Sequence, residues 1–216
     1  MNGAFTENPL SGGAECYIAS PCAASSLPFW KAKAFKVPEN MLVIRDDEFR
    51  RELYPDYTDE PYFKLVHRLE GLEKPVLDEG FVIVSKSFAQ YAEHIKACYG
   101  GGPSEAELLA MTERDVYAPE LWLAIAQRDT GIIAASGIGE LDRSIGEGVL
   151  EWIQVSEAFR RRGLGRFIVR ELLLRMRDEA SFVTVSGMVN NPSDPLSLYT
   201  SCGFLEKTVW HVLKRK

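Results

Sequence analysis

From Phe81 to Leu213 the spacing of apolar residues switches repeatedly between strand and helix periods, and the switches mark out the elements. Phe81-Val82-Ile83-Val84 is a short apolar run of buried-strand type. Ser85 to Tyr99 changes to helical spacing, with Phe88, Tyr91, Ile95 and Cys98 on one face and Gly100-Gly101-Gly102 as the stop. Ser104, three residues before Glu107, has the pattern of a capping box and predicts a second helix to about Val116. Leu121–Gln127 and Ile132–Glu140 read as strands, joined into a hairpin by Arg128-Asp129-Thr130-Gly131. Val149–Val155 is a further apolar, β-branched strand. From Leu164 the apolar Phe167, Ile168, Leu172 and Met176 return at helical spacing, with Arg166, Arg170, Glu171 and Arg175 largely between them. Ser181–Val189 predicts a strand, Pro195–Cys202 a short helix and Phe204–Leu213 a closing strand.

The first 78 residues are less regular. Residues 1–13 are small and polar and read as a loose arm, Glu15–Ser20 as a short strand, and Pro28 as a first-turn residue of a helix. Met41–Arg45 is the clearest strand of this half, and Asp46, Asp47 and Glu48 suggest a helix start. Tyr54–Glu60 reads as loop. Glu60–Leu69 fits a strand or a short helix, and the pattern does not choose. Leu72–Asp78, with Pro75, reads as a linker. The expected division is an N-terminal extension at 1–78 and a second domain at 79–216. No internal repeat or low-complexity segment interrupts either.

Composition narrows the function classes only a little. An apolar content of 46% and a charged content of 26% over 216 residues are those of an ordinary globular chain. The net charge of −6 argues against a general nucleic-acid binder. Against that acidic background the arginines between 160 and 177 form a local patch, which favours a discrete anionic ligand over a polyanion. Cys16, Cys22, Cys98 and Cys202 form no Cys-x-x-Cys pair and lack paired histidines, so no metal is expected. With no signal-like start and no membrane-length apolar run, the expected location is cytoplasmic, with no membrane partner.

The candidate chemistry begins where the 149–155 strand hands over to the next helix. Arg160-Arg161-Arg162-Gly163-Leu164-Gly165 occupies that junction. A helix N-terminus presents N–H groups without intrahelical partners and the positive end of the dipole. Glycines let the backbone approach a phosphate, and arginines add charge-assisted donors. A nucleoside-triphosphate loop would need Lys then Ser or Thr after the last glycine, where Arg166-Phe167 stands. A dinucleotide loop would need a small third residue at Ile168.

Arg-x-x-Gly-x-Gly between strand and helix resembles the acyl-coenzyme A loop of the GNAT superfamily, the GCN5-related N-acetyltransferases. The match rests on Arg160, Gly163 and Gly165, with Arg161, Arg162 and Leu164 in the variable places. A second stretch, Asn191 to Phe204, resembles the family's other motif through Leu198-Tyr199 and Gly203-Phe204. Pro195 stands where a small residue is more usual, and Asn190 competes with Asn191 for the asparagine place. The order β-α-α-β-β-β-α-β-α-β from residue 79 is also similar to the family core. The resemblance implies an α/β fold with a mixed, mostly antiparallel central sheet flanked by helices, preceded by an α+β extension that it does not cover.

It further implies acetyl-CoA as cosubstrate and a primary amine, of a small molecule or a protein, as acceptor, in a monomer or homodimer. Tyr199 would protonate the departing thiolate; a phenol near ~10 can donate to a thiolate whose thiol lies near ~8.5. Ile153, Gln154 and Val155 would pair through their backbones with the pantetheine arm. A main-chain N–H there would polarise the thioester carbonyl. Glu151 is the candidate base, and simple alternation puts it on the face of Ile153 and Val155. Glu147 and Glu140 are its fallbacks. Cys202 reads as a packing thiol and His211 as a packing histidine, while His67 and His94 have no motif around them. The competing expectation is a GNAT-fold protein that binds acyl-CoA without turnover, as a sensor or partner-binding protein.

Overall fold

A computed structural model describes residues 40–144 and 146–216. The elements expected at 15–20 and around Pro28 lie outside the described residues. The described chain is an α/β fold with eight strands, and every strand pairing given below is antiparallel. It divides into two compact units, residues up to 67 together with 184–216, and residues 68–183.

In the second unit the strand order is β6-β5-β4-β3, with β3 Phe81–Val84, β4 Trp122–Gln127, β5 Ile133–Asp142 and β6 Glu147–Val155. The predicted hairpin is present, with Ile125 opposite Ala135. Helix α1, Phe88–Tyr99, starts where Ser87 and Gln90 close a capping box and stops at Gly100, whose φ of 74° ends the helix in a left-handed residue. Helix α2, Glu105–Ala110, is capped in the same way by Ser104 and Glu107. It is shorter than predicted, because the chain tightens to a 3-10 turn at Met111–Glu113.

Helix α3, Leu164–Met176, turns Phe167, Ile168, Leu172 and Met176 into the core as its spacing predicts. The sheet accepts it closely because glycines stand beneath. A Cβ on Gly137 would lie 2.5 Å from Ile168, and one on Gly148 2.5 Å from Met176. The opposite face of the sheet carries Ile138 and Ala124 against Tyr91 and Ile95 of α1 and Leu108 and Met111.

In the first unit β1, Met41–Arg45, and β2, Tyr57–His67, both pair with β8, Leu205–Arg215, which lies between them. The strand order is β1-β8-β2-β7, β7 being Phe182–Met188, of which residues from 184 belong here. Residues 60–67 are therefore strand, and the strand begins inside the expected loop, at Tyr57. The helix start suggested by the acids at 46–48 is a hydrogen-bonded turn instead, with Glu48 and Phe49 N–H groups donating to the Arg45 carbonyl. The short helix α4 spans Pro195–Thr200 with Asp194 as its N-cap.

Gly137→Val should lower the unfolding free energy by about 2 kcal/mol, because an isopropyl group enters space that Ile168 and Ile153 already fill. Gly101→Ala, whose Cβ meets nothing within 4 Å, is the control. Urea denaturation of both variants reads the difference.

Candidate active site

Strand β6 carries most of the candidate residues, and a bulge divides it. Ile138 of β5 pairs with Glu151, but Ser136, two residues earlier, pairs with Gln154, three residues later. Trp152 absorbs the extra residue with a φ of 48°, a left-handed conformation that a non-glycine side chain disfavours by roughly 1–2 kcal/mol. Its ring meets Tyr99 edge-on at 5.8 Å.

This corrects the face assigned to Glu151. Residues directly opposite in a ladder share a face, so Glu151 goes with Ile138 toward α1 and shares that face with Gln154. Ile153 points the other way, its Cδ1 2.8 Å from the place of a Gly137 Cβ beside α3. Simple alternation fails because it assumes a regular pleat, and one inserted residue inverts everything beyond it.

Glu151 is 7% exposed. The same register puts Glu140 opposite Val149 and Asp142 opposite Glu147, so the fallback residues Glu140 and Glu147 lie along the same face. Glu140 accepts a 2.8 Å hydrogen bond from Arg114 Nη1.

Past the bulge, His94 ties α1 to both central strands. Its Nε2 lies 2.8 Å from Ser156 Oγ and its Nδ1 2.8 Å from Ser136 Oγ. Ser156 spends its only proton on the Ile133 carbonyl, at 3.0 Å, so its oxygen accepts from His94 Nε2–H. Burial pulls the His94 pKa down to about 4, which keeps the ring neutral and makes Nδ1 the acceptor for the Ser136 hydroxyl. Ser136 in turn accepts from Gln154 Nε2. Cys98 Sγ sits 3.6 Å from His94 Nε2, and burial pushes this thiol's pKa up. Tyr99 closes the same end of α1 by donating to the Ile153 carbonyl at 2.8 Å. Sequence reasoning passed over this network. Its one local trace is the i, i+4 spacing of His94 and Cys98; the other partners come from strands far along the chain.

The loop that follows is exposed at Arg160, Arg161, Arg162 and Gly163, while Leu164 is buried beneath it and Gly165 is half-buried. Arg161 and Gly163 both have positive φ, 64° and 78°. Gly163 is the N-cap of α3, and no side chain caps the helix. The first N–H groups of a 13-residue helix are therefore left to an outside acceptor, between left-handed residues that turn backbone donors the same way. The Arg162 guanidinium lies over the Phe159 ring at 5.7 Å, and Arg160 Nε reaches the Val155 carbonyl at 3.4 Å.

The second motif falls in the first unit. Tyr199 on α4 is 6% exposed, with Phe63 of β2 at 6.3 Å and Phe204 at 5.8 Å between ring centroids. Gly203 has a φ of 95°, and a Cβ there would lie 2.9 Å from His67 Nε2. That explains the glycine of the Gly-Phe pair. Asn191 Oδ1 accepts from the Ser193 N–H and hydroxyl, which shapes the turn before α4; Asn190 is exposed in the same turn. Cys202 is buried, and His211 is bonded between Asp59 and Asp46. No group of His, Cys, Asp or Glu among the described residues is arranged to hold a metal ion, and no described helix is long and apolar enough to cross a membrane.

Comparison with known proteins agrees with this arrangement. Residues 119–206 match the acetyltransferase (GNAT) domain family. No curated protein matches the chain. Among solved structures, a GCN5-related N-acetyltransferase from Sphaerobacter thermophilus aligns over 88% of this chain and 65% of its own, at 18% identity and a TM-score of 0.63. A putative GNAT-family acetyltransferase from Novosphingobium aromaticivorans aligns over 86% and 79%, at 15% identity and a TM-score of 0.53. A tandem GNAT protein from the clavulanic acid biosynthesis pathway aligns over 80% and 63%, at 12% identity and a TM-score of 0.57. At such identities the structures speak for the fold alone, and the chain spans less than two thirds of the first and last of them. The fold is thus an α/β fold like that of these solved structures. The family match covers residues 119–206, less than half of the chain, and shows that this stretch resembles a GNAT acetyltransferase domain.

His94 gives the site a pH signature. The folded state disfavours the imidazolium, so the contribution of His94 is complete above its ordinary value of 6.5 and is lost as pH falls from there toward 4. Stability should drop by on the order of 2 kcal/mol over that window, after discounting for partial screening by solvent. The drop should shrink in His94→Gln, as followed by urea midpoints at each pH.

Proposed function

We propose that the chain transfers an acetyl group from acetyl-CoA to a primary amine by direct attack within a ternary complex. The observation that carries this reading is the uncapped N-terminus of α3, entered through left-handed Arg161 and Gly163 beneath exposed arginines. It is an anion cradle that no described side chain caps, and its residues fit a pyrophosphate. Arg160, Arg161 and Arg162 supply charge, and the amides of Gly163, Leu164 and Gly165 supply donors; the family motifs further indicate Asn191 and Tyr199 as cofactor-binding residues.

The bulge supports the rest of the assignment. Trp152 and Ile153 have no partner across β5 in the ladder, so their backbone groups stand outside the β5 pairing, and of these the Ile153 carbonyl is taken by the Tyr99 hydroxyl. Ile153, Gln154 and Val155 offer main-chain groups to the pantetheine amides, and an N–H beside the bulge is suited to the thioester oxygen as charge builds there. When bound, the cosubstrate supplies an activated acyl group and a thiolate leaving group.

Each remaining role belongs to a side chain. A lysine-type amine, with a pKa near ~10.4, is almost wholly protonated at neutral pH and must lose a proton before attack. Glu151, buried on β6, takes that proton directly or through water. Attack forms the C–N bond and the C–S bond breaks. The phenol of Tyr199 gives its proton to the departing sulfur.

Tyr199→Phe should lower kcat by about 10²-fold with little change in acetyl-CoA affinity, as general acids contribute roughly 10²–10⁴. Free-CoA release across an amine panel and calorimetric acetyl-CoA binding separate the two quantities. Unchanged turnover removes the acid role, and tight binding without turnover on any amine favours an acyl-CoA-binding protein. Gly163→Val meets no neighbour within 4 Å, but forces a branched residue to a φ of 78°. Its acetyl-CoA affinity should fall at least tenfold in the same calorimetry.

A further inference from the structure

The His94 network leaves one of its own atoms unmet. Ser156 donates to the Ile133 carbonyl and accepts from His94 Nε2–H, and the Ser136 hydroxyl donates to His94 Nδ1. With its proton spent, Ser136 has only lone pairs to offer Gln154. The Gln154 amide therefore turns its Nε2 to Ser136 and its carbonyl away. That carbonyl oxygen, Oε1, is buried and has no hydrogen-bond partner among the described residues. Gln154 as a whole is 5% exposed. Folded proteins leave few such atoms unmet. Because the chain of protons fixes which way the amide faces, a flip of Gln154 does not relieve it.

The chemistry of this atom and its place select the partner. A carbonyl oxygen only accepts, so the missing group is a donor. Gln154 stands opposite Ser136 and Glu151 opposite Ile138, so the two side chains are successive on the face toward α1. In the acetyl-transfer reading Glu151 takes the proton of the amine, which brings the amine nitrogen to this face. The pantetheine amides are answered by the main chain of β6 instead. A primary ammonium has three N–H bonds. One proton goes to Glu151 before attack. A second leaves as the C–N bond forms and the C–S bond breaks, and it balances the proton that Tyr199 gives to sulfur. The third stays on nitrogen as the N–H of the product amide. A secondary amine has no third hydrogen to keep.

We infer that Gln154 Oε1 accepts a hydrogen bond from the attacking nitrogen, through the hydrogen that stays on it, and that Gln154 thereby restricts the acceptor to primary amines. The restriction rests on the acetyl-transfer reading; the need of this carbonyl for a donor does not. A secondary amine leaves the buried carbonyl unmet, and a site built around a hydrogen bond rejects the analogue that lacks it.

The test has a binding arm and a kinetic arm. The side-chain amide resonances of Gln154 are followed in the full chain during titration with butylamine, benzylamine, tyramine and Nα-acetyllysine. Each is set beside its trimethylammonium counterpart, and acetyl-CoA is titrated alone. At least one primary amine should move the resonances, and its counterpart, equal in charge but without N–H, should not. In the acetyl-transfer assay the preference in kcat/KM for that amine over its N-methyl form should fall about tenfold in Gln154→Met, which loses the carbonyl and keeps the volume. In Ser136→Ala the carbonyl remains, and the preference should stay within about threefold of its starting value. A merely structural role would move both variants alike. An unchanged preference in Gln154→Met, or resonances that the trimethylated forms move equally, overturns the inference and leaves a buried water as the occupant. A shift with acetyl-CoA alone and with no amine assigns the carbonyl to the pantetheine arm and overturns it too. An amine-dependent shift without turnover on any amine supports the N–H site and removes the acetyl-transfer reading. Turnover without an amine-dependent shift does the reverse.

Discussion

The second unit depends on one left-handed residue. A regular β6 would pair with β5 along its whole length. Placing Trp152 at a φ of 48° interrupts that ladder after Glu151 and resumes it at Gln154. The strain of a bulky residue in that region is of order 1 kcal/mol or more. It is held by contacts that α1 supplies: the Tyr99 ring against the indole, the Tyr99 hydroxyl on the Ile153 carbonyl, and Gly102 close by, where a Cβ would lie 3.9 Å from the indole. The His94 network then fastens the strand again immediately beyond the break, through Gln154 and Ser156. A bulge bracketed on both sides keeps its backbone groups in one place, which is what a preorganised electrostatic site requires.

The bulge also divides the work of the strand between two faces. Toward α3 the sheet is shaved down by Gly137, Gly139 and Gly148, so the helix lies close and its N-terminus is fixed with respect to the end of β6. Toward α1 the strand offers the buried polar side chains of Glu151 and Gln154. One residue inserted in this nine-residue strand changes the sense of alternation, so Glu151 and Gln154 face α1 while Ile153 faces α3.

Much of this was legible in residue order. The periodicity of 164–176 reports a helix whose apolar stripe is its core face, and glycines at 163 and 165 mark the junction that the structure shows as an uncapped, left-handed entry. The Ser-x-x-Glu box at 104 starts its helix as expected. What was not legible has a common physical cause. A bulge built on tryptophan has no glycine to announce it, so alternation carried Glu151 to the wrong face. The His94 cluster joins residues 42 and 62 positions apart, and no local pattern records a contact that only tertiary packing creates. The strand at 57–67 was ambiguous for a similar reason. Both of its faces are buried toward its end, and a run of five buried positions carries no period.

That last strand changes what the N-terminal segment contributes to the unit it shares with Tyr199. β2 pairs along most of its length with β8, and its two faces serve different groups. Phe63 packs against Tyr199 and lies 2.5 Å from the place of a Gly187 Cβ, while His67 sets the requirement for glycine at 203. On the reverse face Tyr62 and Lys64 meet Trp210 and Thr208. Because side chains alternate along a strand, residues one apart, such as Phe63 and Lys64, serve opposite sides of the same sheet. The register that seats Phe63 against Tyr199 also sets Tyr62 and Lys64 opposite Trp210 and Thr208. A slip of β2 by one residue would exchange the two faces and take Phe63 away from the tyrosine. The segment from 57 to 67 is in this sense part of the motif at 191–204, although the two lie at opposite ends of the chain.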